Sequence, residues 1–301
     1  MNRIASATEI RVGGQSVHLT RPTKLLFPDD HIDKRELAQY YEHIAPTMLP
    51  YLRDRPVTME RFPDGIDGPR LVQKRAAAYF PRWIHTASMP KQDGTVRHVV
   101  CQDAATLVYL ANQACITPHV WLSRTDKPHQ PDQMIFDLDP SGDDFRTVCR
   151  AAISLRELLR KEHLDAFVKT TGSRGLHVLV PLKRHADFDE VRAFARAIAT
   201  ELAESDPKRL TLEVRKDKRG GRIFVDTARN AYAQTAAPPY AVRPRPGAPV
   251  AAPLEWRELE DPRLTADRYT IHNIFDRLRR QGDVWKDLTR RAQELPHKRA
   301  H

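Results

Sequence analysis

The stretch Met134-Ile-Phe-Asp-Leu-Asp-Pro140 constrains this chain more than any other. A short apolar run closed by a proline reads as a buried strand. Side chains alternate across a strand, so Asp137 and Asp139 share one face while Leu138 points into the core between them. The fold must therefore bury a strand that ends in two neighbouring carboxylates. Such groups repel unless a cation lies between them, and hard divalent ions with oxygen ligands, Mg²⁺ or Mn²⁺, suit the pair. The alternative is a strand end that only meets solvent, its acids satisfied by turn amides.

The segments around it alternate between two periods. Helical spacing is expected over 144–162 and 187–205, and strands over Ala166–Thr170, Leu176–Pro181 and Gly221–Asp226. Upstream, Glu9–Val12 and Ser16–Leu19 flank Gly13-Gly14 as a hairpin. Asp33 and Glu36 open a helix carrying Leu37, Tyr40, Tyr41 and Ile44, with Pro46 and Pro50 expected to interrupt or end it. Val57–Phe62 and Arg97–Cys101 read as strands, and Ala104–Ala114 and Thr265–Arg280 as helices. Six prolines between Thr235 and Pro253 mark a connector. Strands and helices alternating in the central half predict an α+β or α/β core.

Asp226 ends the strand Arg222-Ile-Phe-Val-Asp226. If that strand lies beside Met134–Asp139, an acidic triad able to hold two metals for in-line phosphoryl chemistry results. Between them lies Lys169-Thr-Thr-Gly-Ser-Arg-Gly-Leu-His-Val178, a turn joining two strands. Gly172 and Gly175 allow close backbone approach, and exposed amides there can cradle phosphate. Thr171, Ser173 and Arg174 supply hydroxyls and charge, and His177 a donor. A turn of this kind by itself is also an ordinary hairpin, and a strand histidine is often structural.

Lys and Arg number 49 against 39 acidic residues, a formal charge of +10 with a pI near 9.6. That suits a polyanionic partner, or simply a well-solvated basic enzyme. No run approaches the roughly 20 apolar residues that span a bilayer, and the first residues carry no apolar leader. Cys101, Cys115 and Cys149 are too scattered for a disulfide frame or a structural zinc site. A soluble cytoplasmic protein is expected, with no membrane partner.

Taken together, DLDP, the Thr-Gly-Ser-Arg-Gly-Leu-His-Val turn and FVD-x-x-x-Asn resemble the polymerase domain of bacterial ATP-dependent DNA ligase D, within the archaeo-eukaryotic primase superfamily. The likeness extends to Pro22–Pro28, Arg55-Pro-Val, Gln73-Lys74, Asp103–His119, Tyr240-Ala-Val-Arg243 and Gly247–Pro249, from about residue 10 to 285. It implies an α+β fold: a primase-like core with a central mixed or antiparallel sheet flanked by helices, plus an N-terminal α/β subregion. The expected layout is one domain over 1–287, with a subregion to about 120 and an acidic core over about 121–287. A basic tail without order would follow over 288–301.

The resemblance also implies roles. Asp137, Asp139 and Asp226 would hold two Mn²⁺ (or Mg²⁺) ions. Thr171, Ser173, Arg174, His177, His119, Arg229, Arg243 and Lys74 would contact an NTP or dNTP. Lys24 and Lys34, with Arg21 beside them, would hold a DNA 5′-phosphate, which clustered cations suit. The implied activity is addition of NTPs or dNTPs to DNA 3′ ends or gaps in end-joining repair, in a bacterial, nucleoid-associated setting. The chain shows no nucleotidyl-lysine motif, so a separate ATP-dependent ligase and Ku are implied partners.

Three departures stand out. Thr171 replaces the usual Ser and Arg174 the usual Lys, while Leu71-Val72 replace an aromatic pair that would stack on bases. Tyr79, Phe80 and Trp83 follow nearby and read as core. The departure at Leu71-Val72 keeps open a non-catalytic scaffold that binds DNA ends for a ligase and Ku. A metal-dependent nuclease would use the same carboxylates.

Overall fold

The computed structural model describes residues 8–142 and 144–296. The chain divides into two compact units, Met1–Trp121 with Ala237–Val250 and Leu122–Ala236 with Ala251–His301.

In the first unit, β1 (Thr8–Val12) and β2 (Gln15–Leu19) form the hairpin turned at Gly13-Gly14. A short antiparallel ribbon follows, β3 (Leu25–Phe27) against β4 (Ile32–Asp33), and leads directly into α1 (Lys34–Leu52). The Asp33 side chain caps α1 by accepting from the Glu36 amide at 2.9 Å. Contrary to expectation, α1 runs through both prolines. Pro46 and Pro50 lie four residues apart on the exposed side, where water can satisfy the carbonyls they free, while Ile44, Ala45, Met48 and Leu52 pack inward.

The unit's sheet centres on β5 (Pro56–Arg61), which pairs with β6 (Leu71–Gln73), β8 (Gly94–Val100) and β9 (Cys115–Trp121); β7 (Thr86–Lys91) pairs with β8. Helix α2 (Ala104–Asn112), capped by Asp103, packs on α1. The proline-rich connector is anchored here: the Thr117 hydroxyl donates to the Val242 carbonyl at 2.6 Å, and the Tyr40 hydroxyl to Tyr240 at 2.7 Å.

The second unit contains β10 (Gln133–Asp139), α3 (Phe145–Lys161), β11 (Phe167–Thr170), β12 (Leu176–Pro181), α4 (Phe188–Ser205), β13 (Leu210–Thr211), β14 (Ile223–Asp226), β15 (Thr235–Ala236) and β16 (Pro253–Leu254). Its six-stranded sheet has the order β13-β14-β10-β12-β11-β16. Neighbours run antiparallel except β13 and β14, so the sheet is mixed. Asp144 and Asp187 cap α3 and α4.

Both helices join the core formed by Phe136 and Leu138 of β10, Val178 and Val180 of β12, and Val225 of β14. Alternation then sends Asp137, Asp139, His177 and Asp226 to the opposite face. A last helix, α5 (Ile274–Gln281), is shorter than expected. The Asn273 side chain accepts from the Thr270 amide at 2.9 Å and donates to the Arg268 carbonyl at 3.0 Å, bonds that compete with helical ones upstream.

Part of the expected tail is anchored instead. Leu288 is buried, and Gln293 exchanges backbone bonds with Pro181 (3.0 Å) and Lys183 (2.7 Å) at the end of β12. Residues 297–301 of that tail lie outside the described residues. Among the described residues, no helix is long and apolar enough to cross a membrane, and Cys101, Cys115 and Cys149 are buried free thiols.

Candidate active site

Strand register builds the acidic face. Asp137 lies opposite Asp226 on one neighbouring strand and His177 on the other, and His177 lies opposite Lys169 on β11. One rung thus carries Asp226, Asp137, His177 and Lys169 across four strands. Asp139 stands two residues along β10 on the same face.

The charges are unevenly shared. Burial alone would push the Asp137 carboxyl up, but the His177 imidazole at 3.5 Å, with Arg229 and Lys169, holds it below its ordinary value. Asp226 goes the other way. Burial, with the adjacent Asp137 charge, raises it, although the Ala228 amide donates to it at 2.7 Å and Arg229 and Arg219 oppose the shift.

Asp139 is paired with Arg219, whose Nη1 donates to Oδ2 at 3.1 Å, while Arg174 Nη2 stands 3.8 Å from Oδ1. Arg219 is itself fixed: it donates to the carbonyls of Glu213 (3.0 Å) and Val214 (2.9 Å) and lies 4.2 Å over the Phe224 ring. Sequence reasoning missed Arg219 because it sits in the basic run Lys216–Arg222, which reads as solvated charge.

The Thr171–Gly175 turn closes one side. Three of its amides are engaged within the turn: those of Ser173 and Gly175 donate to the Thr171 hydroxyl oxygen at 3.3 and 3.2 Å, and that of Thr171 to the Gly175 carbonyl at 3.0 Å. Half-exposed Arg174 is the charge the turn presents. Gly175 is dictated by packing: a Cβ there would fall 2.1 Å from the Leu138 carbonyl oxygen. The turn can rest between the two acids of β10 only without a side chain at that position.

After β14, buried Asn230 ties the next turn back onto β10. It accepts from the Ile135 amide at 2.8 Å and donates to the Ile135 carbonyl at 2.7 Å. That brace explains the Asn of FVD-x-x-x-Asn and fixes the stretch that carries Arg229.

The remaining candidates belong to the first unit and form two groups. On β9, His119 Nε2 lies 2.9 Å from Glu60, whose other oxygen accepts from Arg70 at 2.6 Å. Burial would raise Glu60, yet His119, with Arg243 and Arg70, holds it at about 2. Glu60 went unnoticed because its partner is 59 residues away. Lys74 stands exposed just beyond β6.

The second group is Lys24, Lys34 and Arg21. The β3–β4 ribbon brings the two lysines together, the Lys34 amide donating to the Lys24 carbonyl at 2.9 Å. Lys34 is buried with its ammonium on the Thr20 carbonyl at 2.6 Å. Burial, then the charges of Arg21, Lys24 and Arg61, lowers it to about 8.

Among the described residues, no three His, Cys, Asp or Glu side chains converge as a closed metal cage, and Asp139 is taken up by Arg219. The donor chemistry of Asp137 and Asp226 still fits a hard divalent ion. They are two carboxylates directly opposed across a strand pair, one of them destabilised as an anion by the other.

The fold is a mixed sheet with helices on one face and opposed carboxylates on the other. The particular family follows from comparison with known proteins: the model of the LigD primase-polymerase domain matches residues 33–285, and the chain belongs to that family.

It is 33% identical over 277 residues to the multifunctional non-homologous end joining protein LigD of Mycolicibacterium smegmatis, covering 91% of this chain and 36% of that protein. It is 31% identical over 282 residues to the bifunctional LigD of Bacillus subtilis, covering 93% of this chain and 45% of that protein. The chain therefore spans less than half the length of these relatives. The polymerase domain of Mycobacterium tuberculosis ligase D, solved in complex with DNA, superposes with a TM-score of 0.86 at 30% identity, covering 92% of this chain and 99% of that one.

Proposed function

We propose that this chain is a metal-dependent, primase-like polymerase that adds NTPs or dNTPs to DNA 3′ ends or across gaps during end joining. The observation that carries this reading is the in-register opposition of Asp137 and Asp226, with Asp139 on the same face and the Thr171–His177 turn beside them. Bound divalent ions, Mn²⁺ or Mg²⁺, would supply activation of the 3′ hydroxyl and offset charge on the departing pyrophosphate.

Asp137 and Asp226 are the residues that would hold two ions, joined by Asp139 once it exchanges Arg219. His177 orients Asp137 from the neighbouring strand. Thr171, Ser173, Arg174 and Arg229 serve the triphosphate in this reading, with His119, Arg243 and Lys74 as further nucleotide contacts. Lys24, Lys34 and Arg21 receive the 5′-phosphate of the DNA end. No side chain is needed as a nucleophile. By likeness to the end-joining relatives, an ATP-dependent ligase activity and a Ku-type protein are the partners, at the nucleoid in the bacterial cytoplasm.

The test is single-nucleotide extension of a primer facing a 5′-phosphorylated gap in Mn²⁺, with NTP and dNTP in separate lanes. The expected result is a longer product that falls to background in Asp137→Ala. Undiminished extension in that variant would overturn the site. Phosphate-dependent binding without any extension by the unaltered protein would favour the second reading, a non-catalytic end-binding scaffold. The observation on that side is the exposure of Leu71 (48%) and Val72 (52%) in place of an aromatic pair.

A further inference from the structure

Lys24 is already engaged by an anion of the protein's own. Its ammonium donates to Asp64 Oδ1 at 2.7 Å, and Asp64 is 71% exposed. The loop that carries Asp64 is built against the lysine ribbon. The Ile66 amide donates to the Leu26 carbonyl at 2.9 Å, and the loop is closed by bonds from Gly65 to Phe62 (3.1 Å) and Gly68 to Gly65 (2.9 Å). Gly65 has φ +84°, and a Cβ there would press to 3.3 Å from the carbonyl oxygens of both Leu25 and Leu26. The backbone is thus fitted closely onto the strand that follows Lys24. A carboxylate held there offers the ammonium the kind of charge-assisted acceptor that a phosphate oxygen does.

We propose that Asp64 is an internal stand-in for the DNA 5′-phosphate, which an arriving phosphate must displace from Lys24. This deepens the reading of Lys24, Lys34 and Arg21 as the 5′-phosphate pocket, and it rests on that reading. Asp64 attenuates the grip on phosphorylated ends while leaving ends without a phosphate unaffected, since those bind with the Lys24–Asp64 pair intact. Attenuation has a use, because a 5′-phosphate must leave the pocket before any strand-sealing reaction can consume it.

The experiment measures equilibrium binding and dissociation of gapped DNA carrying either a 5′-phosphate or a 5′-hydroxyl. It compares the unaltered protein with Asp64→Asn and with Asp67→Asn, an equal charge change at an exposed position of the same loop. Asp64→Asn should tighten binding of the phosphorylated end roughly two- to fivefold, the range that an exposed lysine–carboxylate pair spans. The gain should come mainly through slower release, with 5′-hydroxyl binding moving no more than in Asp67→Asn.

Equal tightening of both ends, matched by Asp67→Asn, would reduce Asp64 to general surface charge and overturn the proposal. An unaltered protein that binds both ends equally would overturn the pocket reading itself, and the proposal with it. Thermal melting of Asp64→Asn at the unaltered temperature confirms that the loop still folds.

Discussion

The acid face of the second unit and the lysine pocket of the first both crowd like charges together, but they are built differently. Asp137 and Asp226 are locked by strand register, and the groups that oppose their charge come from side chains fixed in turn: Arg219 on two carbonyls, His177 on the next strand. Lys24 and Lys34 flank a ribbon of three residues against two, and the counter-charge of Lys24, Asp64, arrives on a loop. The contrast teaches a division of labour. In the proposed reading, the reacting groups ride on a sheet and the recognition groups at loops, where affinity can be tuned without disturbing the core.

The largest expected effect breaks the first half of that contrast. Gly175→Ala drives a Cβ to within 2.1 Å of the Leu138 carbonyl oxygen, and since the obstacle is backbone, β10 or the turn must move. Overpacking of this kind costs roughly 1–3 kcal/mol. Extension should be lost even where the variant is folded, as read by melting temperature and primer extension together. Gly142→Ala is the matched control just beyond β10, with nothing within 4 Å of the added carbon and no positive φ. Loss of activity in the control as well would mean that this region tolerates no change, and that close packing at Gly175 is not the cause.

The same difference in construction decides what could be read from the sequence. Period-two alternation put Asp137 and Asp139 on one face, the Asp33 cap marked where α1 begins, and helical spacing placed the starts of α3 and α4, where Asp144 and Asp187 prove to be caps. These signals are local, so they survive without a structure. Strand β9 was missed because Pro118 sits inside it, and a proline reads as a break; it pairs opposite Met59 within the strand. Arg219 and Glu60 were missed for a different reason: each matters only through a partner brought from far along the chain. The two-residue strands β13 and β16 carry too few positions to show any period at all.

The next effect, read in stability and not in activity, probes Glu60, a buried carboxylate of the first unit. Glu60 is held at about 2 against an ordinary 4.5. A depressed carboxylate contributes stability that is present above pH 4.5 and is lost as pH falls towards 2. The contribution is on the order of 2–4 kcal/mol, from about 1.4 kcal/mol per pK unit. Glu60→Gln should therefore be the less stable protein at pH 6, with the gap closing as urea melts are taken down to pH 3. A gap that stays constant with pH would show that Glu60 acts through packing and hydrogen bonds, not charge.

The smallest effect sharpens the second half of the contrast, because it asks whether the proposed phosphate pocket titrates near neutral pH. Lys34 loses its proton at about 8 in the folded chain against 10.5 as a free side chain, driven by burial and by Arg21, Lys24 and Arg61. Between those values the unfolded chain binds the proton and the folded chain does not, so Lys34 makes folding more favourable as pH rises through that window. In the proposed 5′-phosphate pocket its effect on end binding has the opposite sign. A 5′-phosphate is a dianion throughout this range, its second pKa lying near 6, and it needs the ammonium charged. Binding above pH 8 must therefore take up a proton, and the preference for a phosphorylated over a hydroxyl end should shrink by a few-fold between pH 7 and 9. Lys34→Met should show a smaller preference that no longer varies with pH. A preference that falls equally in the variant would assign the titration to another group and leave Lys34 as a structural donor to the Thr20 carbonyl.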